Sequence, residues 1–285
     1  PTESTLEFLK VHGAGNDFVL LPDLDDHLDL TADLAAALCH RQLGIGGDGA
    51  IRVGPARPGT DADAFMDYRN ADGGLSEMCG NGVRTVAKYL ADRQPMDVVN
   101  VDTRAGVKRV VIHRGPDGLT ETCTVDMGAP VTGEIGRPVV LDDGTTATVT
   151  IVSMGNPHAV LLVDDVATAP VTTLGPRIET HPDFPEGTNV EFIAARSDGG
   201  VDGRIWERGV GETMASGTGG SAMAVAAHLN GLAARTSDVH LPGGVLRIEW
   251  TPETLFVTGP AVEVGKGVLD DAWIATATRG ARTSA

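Results

Sequence analysis

Positive charge is in short supply in this 285-residue sequence: 22 Lys and Arg stand against 39 Asp and Glu, a formal net charge of -17 at pH 7. A chain of that sign repels phosphate and anionic lipid, so neither nucleic acid nor membrane is an expected partner. Long apolar runs are missing too, and no stretch reaches the roughly 18 residues that a spanning helix needs. The opening PTESTLEFLK has no basic segment ahead of an apolar one, so neither secretion nor insertion is expected, and a cytoplasmic location is. Cysteine is scarce: Cys39, Cys79 and Cys123 form no CxxC, and no His/Cys cluster has zinc-site spacing. That excludes a disulfide framework and leaves no metal expected. What the sequence does have is 41% apolar residues, enough to give each of two ordinary domains a core.

Cys39 lies in TADLAAALCHRQ, where Leu34, Ala35 and Leu38 predict a helix capped by Thr31, and it reads as a small buried hydrophobe. Cys123, in the alternating ETCTVDM, reads the same way. Most of the chain predicts short strands broken by glycine turns: AFMDYRN, DVVNVDTR, GVKRVVIHR, TETCTVDM, HAVLLV, NVEFIAA and VLRIEW. Two helices stand out, and each starts at a glycine turn. After CGNG, Val83, Val86, Ala87 and Leu90 form an i, i+3, i+4, i+7 stripe, whereas SAMAVAAHL after SGTG is apolar nearly all round, as an enclosed helix would be. The two turns are separated by close to half the chain, which suggests duplicated halves with a break in GPDGLT, residues 115–120. One motif is set aside: GIGGDG, residues 44–49, matches GxGxxG but follows a helix and precedes a strand, the reverse of a dinucleotide fingerprint.

A helix amino terminus offers unpaired N–H groups and the positive end of the helix dipole, so it attracts anions. A cysteine placed there has its thiol pKa lowered and can serve as base or nucleophile near neutral pH. Cys79 occupies such a position, and Ser216 opens the second turn. Two such termini facing one carboxylate, with a side chain on either side of the adjacent carbon, would suit inversion of a stereocentre. An incidental cysteine in a tight turn is the plainer reading of CGNG alone.

VHGAGNDFVL, YRNADG, MCGNGVR, MGNPHAV, GTNVEF and WERGVGET followed by ASGTG occur here in an order and spacing that resembles diaminopimelate epimerase. CGNG also favours that family over the related proline racemases, and the match extends over nearly the whole chain. The resemblance implies an α/β fold of two pseudo-symmetric halves, each a sheet or barrel of strands wrapped around a central helix, with the active site in the cleft between them. It further implies that a last strand around VEVGKGVL returns to the first half, giving residues 1–118 plus 263–285 as one domain and 119–262 as the other. Carried over by position, Cys79 and Ser216 take the acid/base places, with His158 and Glu207 beside the reacting centre. Gly80, Asn81, Gly217 and Thr218 would hold the reacting carboxylate, and Asn16, Asn70, Asn156, Asn189, Glu207 and Arg208 would recognise the rest of the substrate. The implied partner is diaminopimelate itself, with no cofactor, and a homodimer is compatible. Locally, Asn70 also fits a turn cap, Asn156 a bend before Pro157, and Glu207–Arg208 a solvated ion pair.

Ser216 is the departure, because the family pattern has the second catalytic cysteine there. A hydroxyl is a poor base without an activating partner, and each pKa unit of mismatch costs about 1.4 kcal/mol. Weak inversion with largely intact binding is expected. Three readings stay open: an epimerase with one cysteine replaced, a relative using Cys79 as a single base for elimination or racemisation, and a binding protein without turnover.

Overall fold

The structure, a computed structural model, describes residues 6–277. The chain forms two compact units, one running up to Val125 and resuming at Ala261, the other spanning Asp126–Pro260.

In the first unit, strands β1 (Glu7–Gly13) and β2 (Asn16–Pro22) form a hairpin whose two-residue turn is Ala14-Gly15. Both turn residues take positive φ, 53° and 82°. This mirror-image turn matches strand twist and sets the register that starts β2 at Asn16, although the left-handed conformation costs Ala14 about 1–2 kcal/mol. Helix α1 (Ala32–Cys39), capped by the Thr31 hydroxyl, packs Leu34 and Leu38 onto Val19 and Leu21 of β2. Then come β3 (Gly49–Gly54), parallel to β2, and β4 (Ala64–Asn70), antiparallel to β3. Helix α2 (Gly80–Ala91) follows, with Val83, Val86, Ala87 and Leu90 all buried. Full burial of each Val or Leu side chain is worth about 1.5–3 kcal/mol, which ties the helix to the strands it packs on. Strand β5 (Val98–Thr103) lies parallel to β4, and β6 (Gly106–Arg114) and β7 (Thr120–Gly128) complete an antiparallel run. The anticipated break at residues 115–120 is therefore the turn of the β6–β7 hairpin, closed by Gly115 N–H to the Leu119 carbonyl, and the units divide a little later.

The second unit repeats that plan. After short β8 (Val131–Thr132) and β9 (Arg137–Val140), β10 (Thr146–Ser153) pairs antiparallel with β11 (Pro157–Leu162). Helix α3 (Val171–Glu179) leads to β12 (Asn189–Ala195), parallel to β11, and then to antiparallel β13 (Val201–Glu207) and β14 (Gly211–Thr213). Helix α4 (Gly217–Leu229) is buried from Gly219 through Ala227, as its apolar surface on all sides requires. Strands β15 (Thr236–Leu241), β16 (Gly244–Trp250) and β17 (Leu255–Pro260) finish the unit, with β15 parallel to β13. The order strand, strand, outer helix, parallel strand, strand, central helix, parallel strand thus occurs twice.

The chain then returns to the first unit as β18 (Val262–Val268), antiparallel to β1, followed by α5 (Asp271–Ala277). Among the described residues no helix is long and apolar enough to cross a membrane, and no cluster of His, Cys, Asp and Glu could hold a metal ion.

Candidate active site

Both glycine turns resolve into the same local device. Cys79 is the N-cap of α2, and its Sγ accepts the Gly82 N–H at 3.5 Å. Ser216 is the N-cap of α4, and its Oγ accepts the Gly219 N–H at 3.2 Å. Glycine is required at the third helical position for a steric reason. A Cβ on Gly219 would lie 2.4 Å from Ile205 Cδ1 and 3.1 Å from Ser216 Cβ, and one on Gly82 would lie 3.0 Å from Ile51 Cδ1. Each helix start thereby turns the positive end of its dipole toward whatever approaches the cap residue.

In the first unit, the structure brings Asn16, Cys79 and Asn81 together. Asn16 Oδ1 accepts from Asn81 Nδ2 at 3.1 Å and faces Cys79 Sγ at 3.8 Å. Its amide orientation is settled by Asp48, whose Oδ2 accepts Asn16 Nδ2 at 2.8 Å and whose other oxygen is held by Arg41. A carboxylate only accepts, so the amide nitrogen must turn to Asp48 and the carbonyl to the thiol. Asp48 belongs to the GIGGDG loop, which follows α1 and leads into β3. Asn70 ends β4, and its backbone closes the NADG turn with Gly73 and Gly74. Buried Arg84 donates to Asn81 Oδ1 from behind. Cys39 and Cys123 are buried, and burial pushes both thiols up to about 12.

The second unit assembles a more acidic set. Asn156 donates its Nδ2 to Thr218 Oγ1 at 3.4 Å and its Oδ1 lies 3.0 Å from His158 Nε2. His158 Nδ1 lies 2.6 Å from Glu191 Oε1, and neither side chain has any solvent exposure. Glu207 accepts from the Thr213 hydroxyl at 2.5 Å. Burial pushes the Glu207 carboxyl above the ordinary range, against the pull of the Thr213 and Ser216 hydroxyls and with the charge of Glu191 adding to the rise. Burial raises Glu191 as well, opposed by His158. Asn189 spends its amide on the backbone: Nδ2 to the Pro157 carbonyl at 2.9 Å and Oδ1 to the Arg208 N–H at 3.0 Å. It ties β11 to the turn that carries Arg208. Arg208 is exposed and donates to the Glu186 carbonyl, so Glu207 and Arg208 turn to different partners rather than to each other.

Superimposing the two plans pairs Asn16 with Asn156, Asn70 with Glu207, Cys79 with Ser216, and Asn81 with Thr218. The strand registers carry this equivalence, since Phe18 faces Gly49 where His158 faces Asn189, and Gly49 faces Asn70. By this pairing the position of Asn70 in the first unit is held by the carboxyl of Glu207 in the second, while Asn16 and Asn156 keep an amide in both. Asp48, Glu191 and Thr213 are the partners that sequence reasoning misses. The one signal available for Glu191 is a carboxylate set inside the otherwise apolar NVEFIAA.

A family model described as diaminopimelate epimerase matches residues 8–133 and 150–264. The diaminopimelate epimerase of Desulfitobacterium hafniense is 43% identical over 281 residues, covering 93% of this chain and 98% of its own. That of Moorella thermoacetica is 45% identical over 280 residues, covering 92% and 98%. Among solved structures, a probable proline racemase from Agrobacterium radiobacter K84 superposes with a TM-score of 0.73 at 18% identity, covering 93% of each chain. A phenazine biosynthesis protein of the PhzF family from Bacillus anthracis gives 0.68 at 15% identity, covering 94% of this chain and 99% of its own. At such identities these two structures speak for the fold.

Proposed function

The chain belongs to the diaminopimelate epimerase family, and from that premise we propose that it is an isomerase interconverting LL- and meso-diaminopimelate without a cofactor. Inversion at an α-carbon needs a proton removed on one side and another delivered on the other. The observation that carries the reading is that each unit has one acid/base-capable side chain as the N-cap of an enclosed helix. Carboxylate oxygens, and the enolate-like charge that develops beside them, suit a helix amino terminus such as that of α2 or α4. Asn16, Asn70, Asn156, Asn189, Glu207 and Arg208 would complete substrate recognition. The reaction belongs to lysine and peptidoglycan precursor synthesis, and with it goes a cytoplasmic location.

Ser216 limits the rate in this reading. The hydroxyl has Glu207 beside it, yet a carboxyl–hydroxyl pair is a far weaker carbon base than a thiolate. Cys79 retains its thiol, so removal and return of the α-hydrogen on the Cys79 side is favoured over inversion, which is also the behaviour of a single-base relative.

The deciding experiment is incubation with LL- or meso-diaminopimelate in deuterated water, followed by NMR and chiral chromatography. Deuterium incorporation faster than inversion is the expected result. Neither exchange nor binding would remove the enzyme reading.

A further inference from the structure

Glu191 is absent from the set of substrate-contacting residues, yet it makes the shortest contact of His158, and its Oε2 meets no hydrogen-bond partner among the described residues. Register explains the meeting. Strands β11 and β12 run parallel with His158 opposite Asn189, so Glu191, two residues further along β12, lies on the same face of the sheet as both.

The imidazole is gripped at both nitrogens. Asn156 lies against Nε2 through Oδ1, with its Nδ2 on the Thr218 hydroxyl, which can both donate and accept and so leaves the amide free to reverse. In the orientation found, Nε2 carries a hydrogen. Nδ1 and Glu191 Oε1, 2.6 Å apart, then share the remaining proton: either a neutral ring accepts from the carboxylic acid or an imidazolium donates to the carboxylate. In both states Nδ1 is occupied, and the only nitrogen that can pass a proton onward is Nε2.

We propose that Glu191 is a positioning residue that occupies His158 Nδ1 and so confines proton transfer by His158 to Nε2, the nitrogen now hydrogen-bonded to Asn156. The inference rests on the reading of His158 as an acid/base participant. Removal of the proton from Nε2 leaves Nδ1–H donating to ionised Glu191, and its return restores the first state; the proton balance closes within the pair. Other groups packed against the pair are few. Glu207 of β13 is the titratable neighbour, α4 contributes the Thr218 hydroxyl, and β10 places Val152 opposite His158. On α3, Arg177 is bound to Asp142 and Asp143, and Glu179 to Trp206 and the Gly209 N–H.

The test has two readouts. In protein labelled with 15N-histidine, with His158→Gln identifying the resonances, His158 Nδ1 is expected to show the shift of a nitrogen hydrogen-bonded to a carboxyl group. An Nδ1 at the shift of an unbonded pyridine-type nitrogen would overturn the proposal, and this readout stands whether or not a Glu191 variant folds. The second readout is kinetic, in a Ser216→Cys background. There Glu191→Gln should lower kcat roughly 10- to 100-fold, what the loss of a hydrogen bond to a charged group amounts to, with KM nearly unchanged. It should also displace one limb of the pH profile. Unchanged kcat and pH profile in a folded Glu191→Gln variant would overturn the idea. If the parent protein neither binds nor exchanges diaminopimelate, the proposed function fails while the nitrogen spectrum still decides whether Glu191 occupies Nδ1.

Discussion

Asp48 holds Asn16 by its amide nitrogen, 2.8 Å from Oδ2, and so turns the Asn16 carbonyl to face the Cys79 thiol. The residue that orients the amide beside Cys79 thus comes from a glycine loop between a helix and a strand. Asp48→Asn removes the pure acceptor and lets the Asn16 amide reverse. Loss of a hydrogen bond to a charged group costs about 1.5–3 kcal/mol. We expect kcat/KM for α-hydrogen exchange to fall about tenfold or more and Tm to drop by several degrees, measured by deuterium incorporation and thermal unfolding.

Restoring a thiol at the second cap should release the epimerase. Ser216→Cys is expected to raise inversion on the order of 10²–10⁴-fold, the range of a general acid or base, with substrate affinity nearly constant. Unchanged inversion, followed by chiral chromatography, would count against a two-sided mechanism.

Cys79 should be the one thiol that reacts with iodoacetamide in the native state. Cys39 and Cys123 are buried and pushed up to about 12, leaving almost no thiolate at neutral pH. Mass spectrometry should find a single adduct on Cys79, and saturating diaminopimelate should slow its formation.

The raised Glu207 carboxyl has a consequence for stability. Its folded-state pKa lies above the unfolded one, so its contribution is complete below the unfolded pKa and is lost as pH rises through the folded value. Glu191 acts in the same direction. Tm should decline as pH climbs from the ordinary Glu range toward neutrality, and Glu207→Gln should flatten part of that slope. A calorimetric series across this range settles the sign; an identical slope in the variant would contradict it.

Gly219→Ala places a methyl 2.4 Å from Ile205 Cδ1 in a closed core. Overpacking of this kind costs about 1–3 kcal/mol. Urea unfolding should report that loss. Gly82→Ala, whose nearest contact is 3.0 Å, should cost less.

How much of this was legible depended on the range of the interactions. NVEFIAA and GVKRVVIHR read directly as strands and span β12 and β6 to the residue. The Thr31 cap and the helix starts at Gly80 and Gly217 were equally plain, because capping and periodicity act over a few neighbours. GIGGDG was dismissed on sound order-of-elements grounds, yet the same loop supplies Asp48. Its role depends on Asn16, in another strand, and no local pattern announces that. Asn189 reads from its motif as a substrate residue, while its amide is found bridging Pro157 and Arg208.

By itself, then, the sequence determined where the two central helices begin and which side chains cap them, and it suggested a duplication, since backbone conformation there answers to adjacent residues. Only the tertiary structure decided that Asp48 turns the Asn16 carbonyl to Cys79, that Glu191 lies against His158 Nδ1, and that Asn189 bridges Pro157 and Arg208. Hydrogen-bond direction in a buried network follows from the full set of donors and acceptors present, and folding brings those together from strands and loops far apart along the chain.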